Sequence, residues 1–285
     1  MSKHTRHRGL TPAVAETPGN PAFRPQEGER DNVGLPQAKV LLCGLDHSLP
    51  DIMRFVSTCL KYVNGVRPHD IRVHCVFEPI DKPFVTGHGG STVYGVEVTD
   101  SFGRALVDTI KLHTAINKLQ VPCTLEIVIG TCNSEGLAAG LQRLLVMDPE
   151  APNKVTSSEP SALLGSLCYC PRLHPRLNWL VPKLRTGATV IAWSASVYGG
   201  NAYGRRTNIG SRDIMIEAIC NVLESGQPIS RDALFRKICE PISEFNDQRA
   251  GKFRRMTDEE QIKAQDRYKP QFPCLLTSAT NHASR

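Results

Sequence analysis

The sequence predicts a single α/β domain with a mostly parallel central sheet and helices on both of its faces. Short apolar runs rich in β-branched residues alternate along the chain with segments whose apolar residues recur every three or four positions. This alternation is typical of parallel sheets, in which a helix connects successive strands. A chain of 285 residues is long enough to bury the core of one large domain.

The individual elements follow from these two periods. Strands are predicted at residues 39–44, 71–77, 84–86, 124–129, 188–193 and 271–277. Helices are predicted at residues 50–63, 213–223 and 232–238, after an N-cap at Asp100, and after Cys132. The helix after Asp100 is expected to carry Phe102, Leu106 and Ile110 on one face. The helix after Cys132 is predicted from the helical spacing of its leucines, which are Leu137, Leu141, Leu144 and Leu145.

Two polar segments divide the chain. Residues 1–36 are rich in Pro, Gly, Arg and Glu without periodicity, which predicts a disordered N-terminal arm before a folded region at 37–285. Residues 147–160 are polar and rich in proline, which predicts a linker within the folded region. This linker is a candidate site of self-processing, and an uncut surface loop is the alternative.

Composition restricts the compartment and the partners. Five of the ten cysteines lie in apolar segments and are expected to be buried free thiols: Cys43, Cys59, Cys75, Cys123 and Cys220. We find no apolar run long enough to cross a bilayer and no secretory h-region, and we expect a reducing, cytoplasmic compartment. Delivery into a host cytoplasm as an effector is the alternative. The net charge of +6 is modest, and without a basic motif interleaved with aromatic residues we expect no nucleic-acid partner.

A histidine and a cysteine follow two of the predicted strands. His88 lies in FVTGHGGS after the first of these strands, and Cys132 lies in IGTCNSEG after the second. Active sites in parallel α/β sheets gather at the carboxyl ends of the strands, so we expect these two side chains to face one crevice. A thiol becomes a nucleophile when a base or a cation stabilises its thiolate, and histidine is the usual partner.

The small residues around this pair fit the same chemistry. Gly87, Gly89 and Gly90 allow a substrate to approach the backbone closely. The backbone N–H groups of Gly89 and Cys132 are expected to point at one carbonyl oxygen, which is an oxyanion hole for acyl transfer. The alternative is a loop histidine and a packed cysteine without a shared role.

Other kinds of site have less support. Cys168, Cys170 and His174 could supply three zinc ligands, but no fourth ligand has the usual spacing, so we expect no metal. A cysteine phosphatase needs an arginine six residues after the nucleophile, where this chain has Ala138. No glycine-rich nucleotide-binding pattern follows the first strand, and we expect no cofactor.

The order of these motifs resembles that of the caspase-like cysteine peptidases, which include caspases, paracaspases, metacaspases and bacterial relatives. The His88–Gly89 pair after one strand and Cys132 after the next follow the order of that superfamily's catalytic dyad. Residues 188–224 resemble the start of a caspase small subunit, and the stretch KPQFPCLLT at 269–277 resembles a strand near the end of caspases. The likeness runs, with gaps, from Lys39 to Thr277.

The resemblance implies a caspase–haemoglobinase fold and hydrolysis of peptide bonds in protein substrates through a thiolate. Cys132 is then the nucleophile, His88 the general acid and base, and Gly89 with Cys132 the oxyanion hole. The substrate cleft is implied to be lined by Trp193, Ser194, Arg205 and Arg206. The rival interpretation is a non-catalytic module of the same fold that binds a partner. A small-molecule or protein activator and a homodimer are further options that the sequence leaves open.

The chain departs from caspases in places that bear on specificity. It has Gly-Thr-Cys-Asn-Ser where caspases have Gln-Ala-Cys-Arg-Gly, and its short entry into the first helix and its HGGSTVYG stretch look more like self-processing domains of bacterial toxins. Arg205 or Arg206 favours an acidic substrate residue before the cut (P1) by charge pairing, and this is the option the sequence favours slightly. Asp46 or Asp51 favours a basic P1, and the toxin-like features imply an apolar one.

Overall fold

The structure is a computed structural model that describes residues 40–45, 49–63, 66–76, 89–92, 95–99, 105–148, 155–157, 184–207 and 210–278. The predicted arm at 1–36 and the predicted strand at 84–86 lie outside the described residues. None of the helices in the described ranges is both long enough and apolar enough to cross a membrane.

The described ranges contain strands β1 Val40–Leu45, β2 Ile71–Val76, β3 Gly89–Thr92, β4 Gly95–Thr99, β5 Ala105–Asp108, β6 Thr124–Ile129, β7 Gln142–Met147, β8 Val155–Ser157, β9 Thr189–Ser194, β10 Gly204–Thr207, β11 Gly210–Asp213 and β12 Cys274–Thr277. They also contain helices α1 Leu49–Tyr62, α2 Thr109–Asn117, α3 Ser134–Leu137, α4 Ile214–Glu224, α5 Arg231–Phe253 and α6 Asp258–Ala264. Two 3₁₀ turns occupy Pro68–Asp70 and Gln265–Tyr268.

The central sheet is mixed, which corrects the prediction of a mostly parallel sheet. Its five strands are ordered β6-β9-β12-β7-β8, and only β6 and β9 run parallel, from Thr124 opposite Thr189 to Ile129 opposite Ser194. Strand β12 lies antiparallel to both β9 and β7, and β8 is antiparallel to β7. Hydrophobic period identifies a strand but does not give its direction, so the sequence pattern did not distinguish these arrangements.

The remaining strands form three smaller groups. Strands β1 and β2 pair in parallel, β3, β4 and β5 form an antiparallel sheet, and β10 and β11 form an antiparallel pair. Strands of similar composition thus form both parallel and antiparallel pairs. Parallel neighbours need a helical crossover between them, whereas antiparallel neighbours need only a short connection.

Helices cover both faces of the central sheet. On β9, Trp193 joins a core with α4 and α5, where its ring centroid lies 6.5 Å from that of Phe235. The neighbouring Ala192 points to the opposite face, as alternate residues of a strand do, and joins a core with Ile116 of α2 and Leu137 of α3. The structure is thus a mixed α/β fold with apolar cores on either side of the sheet.

Several predicted elements are confirmed. The described strands β1, β2, β6, β9 and β12 and the helices α1 and α4 coincide with predicted elements to within a few residues. Asp213 caps α4, since its Oδ1 accepts a hydrogen bond of 2.8 Å from the N–H of Ile216. Helix α5 is longer than predicted: it continues through Pro241 to Phe253 instead of ending at residue 238.

Two predicted helices are wrong in extent. The leucine spacing after Cys132 predicted a helix to Leu145, but α3 ends at Leu137 and β7 pairs with β12. Pairing with β12 buries Leu145 in the core, which local helical spacing does not provide. The helix predicted from Asp100 begins instead at Thr109, because residues 105–108 pair with β4 and Asp108 supplies the N-cap.

The predicted linker at 147–160 contains a strand. Residues 155–157 form β8, and Val155 lies opposite Met147 of β7. The remaining residues between Asp148 and this strand, and those at 158–160, lie outside the described residues.

Candidate functional site

Cys132 lies in the turn between the end of β6 and the start of α3, and it is half-buried. The Sγ atom of Cys132 accepts a hydrogen bond of 3.3 Å from the backbone N–H of Ala202 and lies 3.7 Å from the Ala202 carbonyl oxygen. These two contacts suit either form of the side chain, because the N–H donates to the sulfur and a thiol S–H can donate to the carbonyl oxygen.

The first residue of β3 contacts this turn. A Cβ atom placed on Gly89 would lie 1.9 Å from the carbonyl oxygen of Cys132, so only glycine fits at this approach. The Nδ2 of Asn133 donates a hydrogen bond of 2.7 Å to the carbonyl oxygen of Gly89. The backbone of Gly89 therefore lies against the Cys132 turn, whereas His88 and the strand predicted at 84–86 lie outside the described residues.

Asn133 gives the turn its shape. Its φ of 55° places it in the left-handed region, which asparagine tolerates better than most residues. Its N–H donates to the carbonyl oxygen of Gly200 at 3.1 Å, and its Oδ1 accepts from the N–H of Gly199 at 2.8 Å. One side chain thus fastens the Cys132 turn both to Gly89 and to the loop after β9.

Two buried serines continue this connection. The Oγ of Ser134 accepts a hydrogen bond of 2.9 Å from the N–H of Ser196 and lies 3.1 Å from the Ser196 carbonyl oxygen, to which it donates. The Oγ of Ser196 in turn donates to the carbonyl oxygen of Thr131 at 3.2 Å. Both serines are fully buried, so these bonds are shielded from competition with water.

A buried carboxylate secures the far side of the turn. Glu135 is only 1% exposed, and both of its oxygens accept hydrogen bonds from the guanidinium of Arg143 on β7. Its Oε2 also accepts from the N–H of Tyr198 at 2.8 Å. Glu135 therefore joins α3, β7 and the loop after β9, and residues 196–200 are held along the whole Cys132 turn.

A second layer supports the segment that contacts the sulfur. The N–H of Tyr203 donates to Oε1 of Gln271 at 3.1 Å, and Nε2 of Gln271 donates to the carbonyl oxygen of Ala195 at 3.1 Å. Gln271 is fully buried, and Asn246 of α5 hydrogen-bonds to both its backbone N–H and its carbonyl group. Ala202 is thus placed by elements more than 40 residues away in sequence.

Two carboxyl groups lie at the carboxyl end of β6. The N–H of Asp213 donates to Oδ2 of Asp51 at 2.7 Å. Oδ2 of Asp213 lies against Gly130, 3.1 Å from where a Cβ atom would be if residue 130 had one. Gly130 is two residues before Cys132. The pKa of Asp213 is raised to about 7, mainly by burial and in smaller part by the nearby Asp51 carboxylate; burial likewise raises the pKa of Asp51.

The residues predicted to line a substrate cleft are not brought together. Trp193 is buried in the core with its Nε1 donating to Glu126, and Ser194 is fully buried, with a hydroxyl that has no partner among the described residues. Arg205 is exposed on β10. The side chain of Arg206 and all of Asp46 lie outside the described residues.

Sequence reasoning missed three contributors to the site. Glu135 lies within the IGTCNSEG stretch, and its position three residues after the cysteine was the available sign of a role. Ala202 acts through its backbone, and a backbone donor leaves no mark in the residue type. Asp213 was assigned to a helix start, and its proximity to Gly130 arises only from the packing of α4 against the sheet.

Among the described residues, no group of His, Cys, Asp and Glu could hold a metal ion, and Cys168, Cys170 and His174 lie outside those residues.

The described part of the candidate site consists of Cys132 in a turn held by hydrogen bonds, Gly89 against the backbone of that turn, and the carboxyl groups of Asp51 and Asp213. Comparison with family models, with curated proteins and with solved structures finds no match for this chain.

Proposed function

We propose that this chain is a cysteine endopeptidase of the caspase-like type, with Cys132 as the nucleophile and His88 as the general acid and base. The observation that carries the proposal is the contact between Gly89 and the backbone of Cys132. His88 directly precedes Gly89 in the chain, and in this proposal its side chain faces the Cys132 thiol. A cysteine next to a base is the arrangement that nucleophilic catalysis by sulfur requires.

The proposed reaction has four steps. His88 removes the proton from Cys132, and the thiolate attacks the carbonyl carbon of the scissile peptide bond. Backbone N–H groups of Gly89 and Cys132 stabilise the oxyanion that forms. His88 then gives its proton to the leaving amine, which departs with the C-terminal part of the substrate. Water hydrolyses the thioester and frees the enzyme.

The described contacts favour a basic P1 residue among the three options. The Asp213 carboxyl group lies beside Gly130 at the end of the strand that leads to Cys132, and the Asp213 N–H donates to the Asp51 carboxylate. The pKa of each group is raised because burial disfavours its charge, and a lysine or arginine side chain placed there would relieve this cost. Arg205, by contrast, lies on an exposed part of β10, directly opposite Arg212 of β11.

The test is cleavage of an unbiased peptide library, followed by intact mass, with wild-type protein, Cys132→Ala and His88→Ala. We expect cleavage by the wild type after Lys or Arg and none by either variant. Cys123, which the sequence predicted to be buried, is instead exposed just before the start of β6. Cys123→Ala is therefore the matched control and should leave cleavage unchanged. Cleavage that persists in Cys132→Ala would exclude this nucleophile, and a preference for an acidic P1 would exclude the specificity.

A further inference from the structure

The segment that contacts the Cys132 sulfur is held from behind by backbone carbonyl groups of residues 266–269. The hydroxyl of Tyr203 lies 3.0 Å from the carbonyl oxygen of Arg267 and 2.5 Å from that of Lys269. Asn201 donates both to the Tyr203 hydroxyl, at 3.0 Å, and to the carbonyl oxygen of Asp266, at 2.8 Å. Ala202, the donor to sulfur, lies between these two anchored residues.

Arg249 of α5 lies at the centre of this support. Its guanidinium carbon is 4.0 Å from the ring centroid of Tyr203 and 4.7 Å from that of Tyr268, and Phe245 lies 5.4 Å away. Its Nη2 donates to the carbonyl oxygen of Arg267, the same oxygen that the Tyr203 hydroxyl contacts. The buried Nε of Arg249 has no partner among the described residues, so the aromatic rings are its main environment.

We propose that Arg249 is a positioning residue for the Cys132 sulfur, acting through Tyr203 and the backbone N–H of Ala202. The guanidinium stacks on the Tyr203 ring and donates to the Arg267 carbonyl oxygen. It thus contacts both partners of the hydrogen bond between the Tyr203 hydroxyl and Arg267, which helps to place residues 201–203. This deepens the proposed function, because it assigns to α5 a part in holding the thiolate, although Arg249 itself does not contact the sulfur.

The physical reason is geometric. The bond from Ala202 to Sγ is 3.3 Å long, and its strength depends on the direction of a single backbone N–H. The main chain of residues 201–203 has no regular secondary structure, so that direction depends on tertiary contacts: these side chains and a hydrogen bond of 3.2 Å from the Ile214 N–H to the Tyr203 carbonyl oxygen. A planar guanidinium both stacks on a ring and donates in its own plane, which a lysine ammonium does not do.

The experiment measures alkylation of Cys132 by iodoacetamide from pH 5.5 to 9.5 in the full chain, read for each cysteine by peptide mass spectrometry. The variants are Arg249→Lys, Arg249→Met and Tyr203→Phe, which preserve most of the side-chain volume. We expect the midpoint of the rate against pH for Cys132 to rise, and the rate at pH 7 to fall about fivefold to tenfold in both Arg249 variants. Tyr203→Phe should show a smaller change, because its ring remains.

Two controls separate positioning from general loosening. Arg254→Met removes an exposed arginine at the end of the same helix, whose Nε donates only to Ala250 within α5. Exposed Cys123 in each protein reports on the reagent and on global unfolding, and its rate should not change. A rise in the limiting rate at high pH without a shift of the midpoint would mean greater access alone, and this result would overturn the inference.

An unchanged Cys132 profile in folded Arg249→Lys and Arg249→Met would also overturn the inference. If circular dichroism shows that Arg249→Met is unfolded, Arg249→Lys and Tyr203→Phe decide the outcome. Alkylation does not need peptidase activity, so its result is independent of the cleavage test. A shifted profile in a chain that cleaves no peptide would support the positioning role and contradict the proposed function.

Discussion

Gly89 shows how closely two segments approach at the candidate site. An alanine there would place its methyl group 1.9 Å from the Cys132 carbonyl oxygen, and that oxygen belongs to backbone that cannot rotate away. We predict that Gly89→Ala lowers the free energy of unfolding by about 2–4 kcal/mol, as forced backbone shifts in a packed region do. Urea unfolding monitored by circular dichroism measures this change.

The next residue provides a matched control for that prediction. A Cβ atom on Gly90 would have its nearest neighbour 4.0 Å away, at the Glu97 carbonyl oxygen, so Gly90→Ala should change the free energy of unfolding by less than about 1 kcal/mol. Equal effects of the two substitutions would show that the contact between Gly89 and Cys132 is looser than described.

Asp213 makes stability depend on pH in a definite direction. Its pKa is raised from 3.8 to about 7 in the folded chain, so between these values the folded state binds a proton that the unfolded state has released. The stability that this proton gives is fully present below about pH 4 and is lost as the pH rises through 7. We therefore expect the free energy of unfolding to contain a contribution that falls from pH 5 to pH 8.

Removing this charge should flatten the profile. In Asp213→Asn the side-chain oxygen still caps α4, because asparagine is an equally good N-cap, but no buried charge forms at high pH. We predict that this variant gains about 3 kcal/mol of stability relative to wild type between pH 5 and pH 8, because it lacks the group whose folded pKa is about 7. Thermal unfolding at both pH values tests this, with Asp247→Asn on the exposed side of α5 as the control. A variant that loses stability equally at both values would contradict the assignment.

At the scale of elements, Glu135 is the main link between α3 and β7. Its carboxylate accepts two bonds from Arg143 and one from the Tyr198 N–H, all at a site shielded from water. We predict that Glu135→Ala lowers the free energy of unfolding by about 2–4 kcal/mol, since it removes a buried carboxylate that accepts three hydrogen bonds, two of them from a partly exposed arginine. It should also slow alkylation of Cys132, because residues 196–200 lose an anchor.

An exposed ion pair provides the comparison for this link. Asp232 and Arg236 form a bond of 2.8 Å between successive turns of α5, with about half of each side chain exposed to solvent. Asp232→Ala should change the free energy of unfolding by no more than about 1 kcal/mol. Denaturant unfolding of both variants under one set of conditions measures the difference, and a cost for Glu135→Ala as small as that of the exposed pair would refute the proposed role.

The elements also show where sequence patterns were sufficient. The apolar run of β9 is buried between helices on both sides, and β6 next to it is partly buried, so the composition of each run identifies it as a strand without knowledge of its partners. The leucines after Cys132 have helical spacing, yet residues 142–147 pair with β12, which comes from residues 274–277. That pairing is a long-range contact, and no local pattern contains it.

The candidate site divides in the same way. Cys132 and the glycine after His88 stood out because small and reactive residues interrupt apolar runs, and the structure places Gly89 against Cys132. The predicted cleft residue Trp193 failed to reach the site because alternate residues of a strand face opposite sides, and its side faces the core. Ala202 and Arg249 act through tertiary packing, which the sequence does not display.

At the scale of the whole molecule, two strands from the late part of the chain lie between strands from the early part in the central sheet. In the order β6-β9-β12-β7-β8, the strands β9 and β12 come from residues after 188, and they lie between β6 and β7, which come from residues before 148. Backbone hydrogen bonds and both apolar cores therefore join the two parts of the chain.

A cut between β8 and β9 should leave the two parts associated. We predict that a chain with an inserted site for a specific protease at residues 165–166, once cleaved, elutes as one species in gel filtration and separates into two fragments only in denaturant. The uncleaved protein with the same insertion is the control. Two peaks under native conditions would show that the pairing of β9 and β12 with β6 and β7 does not hold the two parts together.

The position of these late strands also sets the order in which the site can form during synthesis. Strands β6 and β7 precede residue 148, whereas β9 and β12, which lie between them in the sheet, follow residue 188 and so leave the ribosome later. Residues 196–203, which hold the Cys132 turn, likewise follow that turn by more than 60 residues. Contacts so distant in sequence form slowly. A nascent chain that has emerged only as far as β8 thus carries Cys132 in a turn without these contacts, and the proposed nucleophile gains its folded surroundings only after residues 196–203 and β12 have emerged.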